Sequence, residues 1–183
     1  MTNTLRPVEE PFSPEIEKAL SAYPGQNGYL LSLFRTFANS LRFLERCVPN
    51  LLDKDSPLPL RIREIVILRI TANNNCEYEW GVHVCVFGEA AQLTDAQIEA
   101  TCLEGIDANL WSDEEANMLE AIDQLCASGN IDNTILEIFQ QNWTREQQLE
   151  ILALSGTYHM ISFVANTARL SNEVFAEPMQ RRG

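Results

Sequence analysis

The stretch Arg61-Ile-Arg-Glu-Ile-Val-Ile-Leu-Arg-Ile-Thr-Ala-Asn-Asn-Asn75, followed by Cys76-Glu-Tyr-Glu-Trp-Gly-Val-His83, decides how the rest of the chain is read. Ile62, Ile65, Val66, Leu68 and Ile70 make the first part a mostly apolar helix carrying one acid, Glu64. Asn73 to Asn75 interrupt it, because asparagine side chains compete for backbone hydrogen bonds and favour caps and turns. A second helix starts near Cys76. At about 100° per residue, Cys76, Glu79, Trp80 and His83 fall within about a third of its circumference. A thiol, a carboxylate, an indole and an imidazole thus share one stripe. A short connection through the asparagines would fold Glu64 against them.

The surrounding chain sets bounds on this reading. At 183 residues it is most simply one domain, large enough to bury roughly 70% of its unfolded surface without a disulfide or metal staple. Its 45% hydrophobic and 21% charged content are ordinary for a globular protein. No apolar run reaches the roughly 18 residues that span a bilayer. The first ten residues lack the charged-then-apolar pattern of a signal peptide, so a cytoplasmic location and no membrane partner are expected. Thirteen basic against 26 acidic side chains leave a net charge of −13. That balance repels phosphate backbones and excludes nucleic acid as a partner, with Arg181-Arg182 the one local basic pair. The five cysteines are odd in number and scattered, which fits a reducing compartment better than a disulfide framework. With no CxxC pair and only two histidines, no metal site is expected.

Residues 1–12 read as a loosely held arm, and residues 13–183 as a single helical domain. Ser13-Pro14-Glu15 is a helix start, with a cap, a proline in the first turn and an early acid. A second helix from about Tyr29 puts Leu30, Leu33, Phe34, Phe37 and Ala38 on one side, with Asn39-Ser40 a break before Leu41–Val48. The prolines between residues 49 and 59 mark a connecting loop. Three capping boxes follow, Thr94 with Gln97, Ser112 with Glu115 and Thr144 with Gln147. They begin helices of roughly 9, 17 and 25 residues. No alternation is long enough for a strand, so the expected fold is all-α with about eight helices. A weak internal echo aligns Arg61, Ile65, Leu68 and Ala72 with Arg145, Leu149, Leu152 and Gly156, and sets Gln148 where Glu64 stands.

Each group on the stripe admits a chemical and a plain reading. Cys76 at a helix start would have its thiol pKa lowered by the exposed amides, or it is a small buried hydrophobe. The position three residues on, where a resolving thiol would stand, is Glu79. Glu79 and His83 have the spacing and order of an intrahelical ion pair. Beside Trp80 and Phe87 that pair would lie in a partly dry groove, where burial and charge act oppositely and leave an imidazole near neutrality for acid–base work. Glu64 is either a solvated partner of Arg61 or Arg63 or a third member of the set. Tyr158 and His159, on the last long helix, either line the same cleft with Trp80 and bind substrate or are simply packed.

These residues resemble the carboxymuconolactone decarboxylase-like family, which includes the alkylhydroperoxidase D-type proteins. Its redox branch has a Glu, eleven residues, Cys-x-x-Cys and a His four beyond the second Cys. Glu64, Cys76 and His83 match that motif, while Glu79 replaces the second thiol, as in a thiol-poor branch. The resemblance implies an alkylhydroperoxidase D-like fold, a homo-oligomer (trimer or hexamer), no cofactor, and catalysis by Glu64, Cys76, Glu79 and His83. Decarboxylase members act on a carboxylated lactone; redox members reduce peroxides with paired thiols. The expected function is therefore acid–base chemistry, decarboxylation or a relative, on a small carboxylated or lactone-type metabolite. A peroxidase using Cys76 alone and a non-catalytic ligand-binding oligomer are the alternatives. Arg35, Arg61, Arg63 and Arg69 are all candidates to hold a substrate carboxylate.

Overall fold

The computed structural model describes residues 4–25, 29–176 and 178–179. Among them are nine α-helices and no strand: α1 (Pro14–Leu20), α2 (Ser32–Phe37), α3 (Leu41–Arg46), α4 (Leu60–Asn73), α5 (Glu77–Phe87), α6 (Asp95–Ala100), α7 (Asp113–Ser128), α8 (Asn133–Asn142) and α9 (Arg145–Ala168). The count exceeds eight because Ser40 caps α3 as a separate helix, its side chain accepting from the Phe43 amide at 3.2 Å. Arg181 and Arg182 lie outside the described residues.

Helix α4 is the axis of the molecule. Ile65, Val66, Ile67 and Leu68 are consecutive and fully buried, so the helix is covered on every side, by α5, α7 and α9. The two segments of the internal echo lie on helices that pack together, α4 and α9, but Ile65, Leu68 and Ala72 are buried whereas Leu149, Leu152 and Gly156 are exposed. Asparagines end α4. Asn74 Nδ2 donates to the Ile70 carbonyl at 2.8 Å, and Asn75 takes a left-handed φ of 54°. Asparagine tolerates that conformation better than other non-glycine residues. The turn lets the Cys76 amide donate to the Thr71 carbonyl at 2.8 Å and sends α5 back along α4.

All three capping boxes form, at the starts of α6, α7 and α9. Gly129 ends α7 at φ 74°, as a left-handed glycine should. Helix α9 stops instead at Arg169, a non-glycine residue with φ 52°. The N-terminal arm is held more firmly than its composition suggests. The Val8 amide donates to the Arg35 carbonyl at 3.1 Å, Asn39 Nδ2 donates to the Arg6 carbonyl at 2.6 Å, and Val8 and Phe12 pack against the core. Among the described residues no helix is long and apolar enough to cross a membrane.

Candidate active site

The antiparallel turn between α4 and α5 brings together three ionisable side chains from which water is excluded. His83 Nδ1 lies 2.7 Å from Glu64 Oε2 across the helix pair, and His83 Nε2 lies 3.5 Å from Glu79 Oε1 one turn back on α5. Glu64 is 1% exposed, His83 4% and Glu79 5%, so these contacts are made in a low-dielectric interior. Each acid keeps one buried oxygen, Glu64 Oε1 and Glu79 Oε2, with no hydrogen-bond partner. Buried carboxylate oxygens are rarely left unpaired, and these two are the atoms with bonding capacity to spare.

Burial pulls the His83 pKa down, but the charge and hydrogen bond of Glu64, joined by Glu79, outweigh it and raise the value to about 10. The imidazole is therefore charged at neutral pH rather than poised there, because two acids press on it instead of one. Tyr158, from α9, stands edge-on to the imidazole with ring centroids 5.1 Å apart, and Phe87 packs on it at 5.2 Å. Burial, then the charges of Glu79 and Glu64, push the Tyr158 hydroxyl well above its ordinary pKa, so it stays a neutral phenol.

Cys76 caps α5 beside this cluster, fully buried. Desolvation raises its thiol pKa to about 11, and the neighbouring Glu79 charge adds to the rise. The helix-start effect expected from sequence is present in the hydrogen bond from the Glu79 amide, but it is the smaller influence. Trp80 turns away from the imidazole. Its indole N–H donates at 2.9 Å to Thr101 Oγ1 at the end of α6, and the ring fills the core. His159 sits elsewhere on α9, its Nδ1 3.4 Å from Asn74 Nδ2 and its ring edge-on to Phe163. The structure thus gathers Glu64, Cys76, Glu79, His83 and Tyr158, and sends Trp80 and His159 to other neighbourhoods.

The arginines also separate. Arg61 pairs with Glu115 at 2.7 Å, and Arg35 with Glu9 at 3.2 Å. Arg69, 3% exposed, binds Asp123 at 2.6 Å through Nε and donates to the Thr101 and Leu103 carbonyls, which ties the end of α6 to α7. Arg63 differs. Its Nη1 donates to the Asp53 carbonyl at 2.8 Å, but its buried Nε has no partner, and its charge reaches Tyr158. No spacing rule singles out Arg63 among the four, since its neighbours come from distant parts of the chain. Among the described residues no group of three or more His, Cys, Asp or Glu is placed to hold a metal ion.

Residues 39–124, which contain the Glu64–Glu79–His83 cluster, match the model of the carboxymuconolactone decarboxylase family. Over that stretch the chain is similar to that family. The crystal structure of an uncharacterized peroxidase-related protein from Silicibacter sp. TM1040 has the same fold, with a TM-score of 0.75 over 95% of this chain and 96% of that one. At 15% identity that likeness concerns architecture, and it makes the nine-helix arrangement alkylhydroperoxidase D-like. No curated protein matches the sequence.

Proposed function

We propose that this carboxymuconolactone decarboxylase-like chain is an acid–base enzyme that needs no cofactor and decarboxylates a small carboxylated or lactone-type metabolite. The observation that carries the reading is His83 clamped between Glu64 and Glu79, each acid with one buried oxygen unspent. Such a unit stores a proton away from water and offers it at a defined atom. In the reaction the bond from carbon to carboxylate breaks and carbon dioxide leaves. Its electron pair passes into the lactone carbonyl as an enolate. The carbon then takes a proton delivered through His83 and Glu79, and solvent restores that proton. Arg63, the arginine with a buried donor to spare, is the group to anchor the substrate carboxylate, and the neutral Tyr158 phenol shields the site.

The peroxide-reducing alternative has less support. A thiolate is the nucleophile in that chemistry, and the Cys76 thiol is pushed the wrong way, with a carboxylate where the second thiol would stand. A non-catalytic ligand-binding role leaves the unsatisfied acids unexplained.

The test is turnover of a panel of carboxylated γ-lactones, read as carbon dioxide release. His83→Gln and Glu64→Gln are each expected to lower kcat about 10²–10⁴-fold. If both variants fold and turn over every accepted substrate like the wild type, the reading is lost. Hydroperoxide reduction that disappears in Cys76→Ser would replace it with the thiol reading.

A further inference from the structure

Of the four tyrosines, three have their hydroxyls taken. Tyr23 donates to the Leu44 carbonyl at 2.7 Å, and Tyr29 and Tyr78 donate to Glu173. Tyr158 differs. Its carbonyl accepts from Ser162 Oγ at 2.7 Å, but among the described residues its hydroxyl has no partner. The residue is only 5% exposed, and a buried phenol normally pairs its O–H. Tyr158 continues the buried stripe of Ile151, Leu154, Ile161 and Ala165 with which α9 packs on α4. A phenylalanine in that stripe would bury the same ring and leave no polar atom to satisfy.

The ring fixes where the hydroxyl is. With centroids 5.1 Å apart, the phenol cannot carry its oxygen out of the neighbourhood of the His83 imidazole. The hydroxyl also lies within reach of the charges of Glu79, Glu64 and Arg63.

The decarboxylation proposed above puts negative charge on the lactone carbonyl oxygen, and the other donors nearby are already committed. The two nitrogens of His83 face Glu64 and Glu79, at 2.7 and 3.5 Å. The Cys76 thiol is engaged by the Ser162 hydroxyl and the Glu79 amide. The Trp80 N–H goes to Thr101. Arg63 Nε has the substrate carboxylate to hold. An enolate oxygen forming beside two carboxylates needs a donor aimed at it in advance.

We propose that the Tyr158 hydroxyl is a catalytic group, the donor that receives the enolate oxygen. This rests on the decarboxylation reading and adds to it the group that stabilises the intermediate. As the bond to the departing carboxylate breaks, its electron pair moves onto the carbonyl oxygen. The Tyr158 O–H tightens its hydrogen bond to that oxygen and keeps its own proton. The carbon takes a proton from His83. Burial, with the charges of Glu79 and Glu64, holds the phenol protonated, as a donor that must not give its proton away should be.

A tetronic acid bearing a carboxylate side chain tests this, because it is a γ-lactone already ionised as an enolate at neutral pH. The comparison ligand is the matching saturated γ-lactone carboxylate. Calorimetric titration of the full chain should show the wild type favouring the tetronate. Tyr158→Phe keeps the ring and should weaken tetronate binding about 10–100-fold, with the neutral lactone bound as before. In turnover the same variant should lower kcat about 10²–10³-fold and leave KM nearly unchanged. A tyrosine that only packs would weaken both ligands alike. If Tyr158→Phe keeps the preference for the tetronate, or loses both ligands equally, the proposal is overturned, while carbon dioxide release by the wild type still upholds the decarboxylation reading. A wild type that neither releases carbon dioxide nor favours the tetronate overturns both. Nuclear magnetic resonance of the wild type, isotope-labelled at tyrosine Cζ, needs no variant. One of the four phenol signals should shift with the tetronate and not with the neutral lactone. No such shift overturns the assignment even if Tyr158→Phe misfolds.

Discussion

His83 shows how little a side chain's intrinsic chemistry says before its neighbours are known. Its spacing from Glu79 is visible in the sequence, and the pair does form, at 3.5 Å. The stronger contact, 2.7 Å to Glu64, depends on α5 folding back along α4 and has no local signature. With both acids present the imidazole pKa lies above its unfolded value of about 6.5 rather than near it. A raised folded-state pKa stabilises the protein fully below the unfolded value, and that contribution is lost as pH rises through about 10. Thermal melts between pH 6 and 10.5 should therefore show a steeper fall in Tm for the wild type than for His83→Gln. Parallel curves would mean that the imidazole carries no extra proton. Cys76 teaches the same lesson with the opposite sign. Its place at a helix start is legible and favours a thiolate, yet complete burial, which no local pattern reveals, raises the pKa instead.

At the scale of the element, helix α5 has a working face and a packing face, and its sequence does not mark which is which. Cys76, Glu79, Trp80 and His83 share a stripe on a helical projection. That stripe is wide enough to meet two neighbours, so its edge at Trp80 goes to the end of α6 while Glu79 and His83 go to α4 and α9. Thr101 is the residue that holds Trp80 there. It accepts from the indole N–H at 2.9 Å and donates to the Ile98 carbonyl at 2.7 Å. Thr101→Val keeps the shape but strands a buried donor. Thr101→Val should cost about 1–3 kcal/mol in urea unfolding of the wild type, and less than that when introduced into a Trp80→Phe background. Equal losses would assign the cost to packing rather than to the hydrogen bond. Helix starts, by contrast, were readable throughout this part of the chain. The boxes at Thr94, Ser112 and Thr144 use groups three residues apart and need nothing from the rest of the protein.

For the molecule as a whole, the described segments before α1 and after α9 are fastened in ways their composition hides. Residues 4–12 run along α2, and the segment after α9 is anchored by Glu173, only 6% exposed. Its carboxylate accepts from the Tyr29 and Tyr78 hydroxyls and, at 2.8 Å, from the Ser32 amide. Burial pushes the Glu173 pKa up, but those hydrogen bonds outweigh it and hold the carboxyl below its ordinary value. Glu173→Ala leaves the buried Tyr78 hydroxyl without its acceptor and should cost about 1–3 kcal/mol. Hydrogen exchange at residues 170–176 should quicken at the same time, and an unchanged rate would show that the segment is held by its apolar contacts alone. Taken by itself, the sequence determined the helical class, the helix starts, the acidic surface and the Glu79–His83 spacing. Each of these depends on residues within about a turn of one another or on composition. The tertiary structure alone decided that Glu64 meets His83, that Trp80 and His159 leave the cluster, that Arg63 keeps a free donor and that Cys76 stays protonated. The reason is that desolvation and cross-helix distance, which fix pKa values and partners, arise only when segments far apart in the chain pack together.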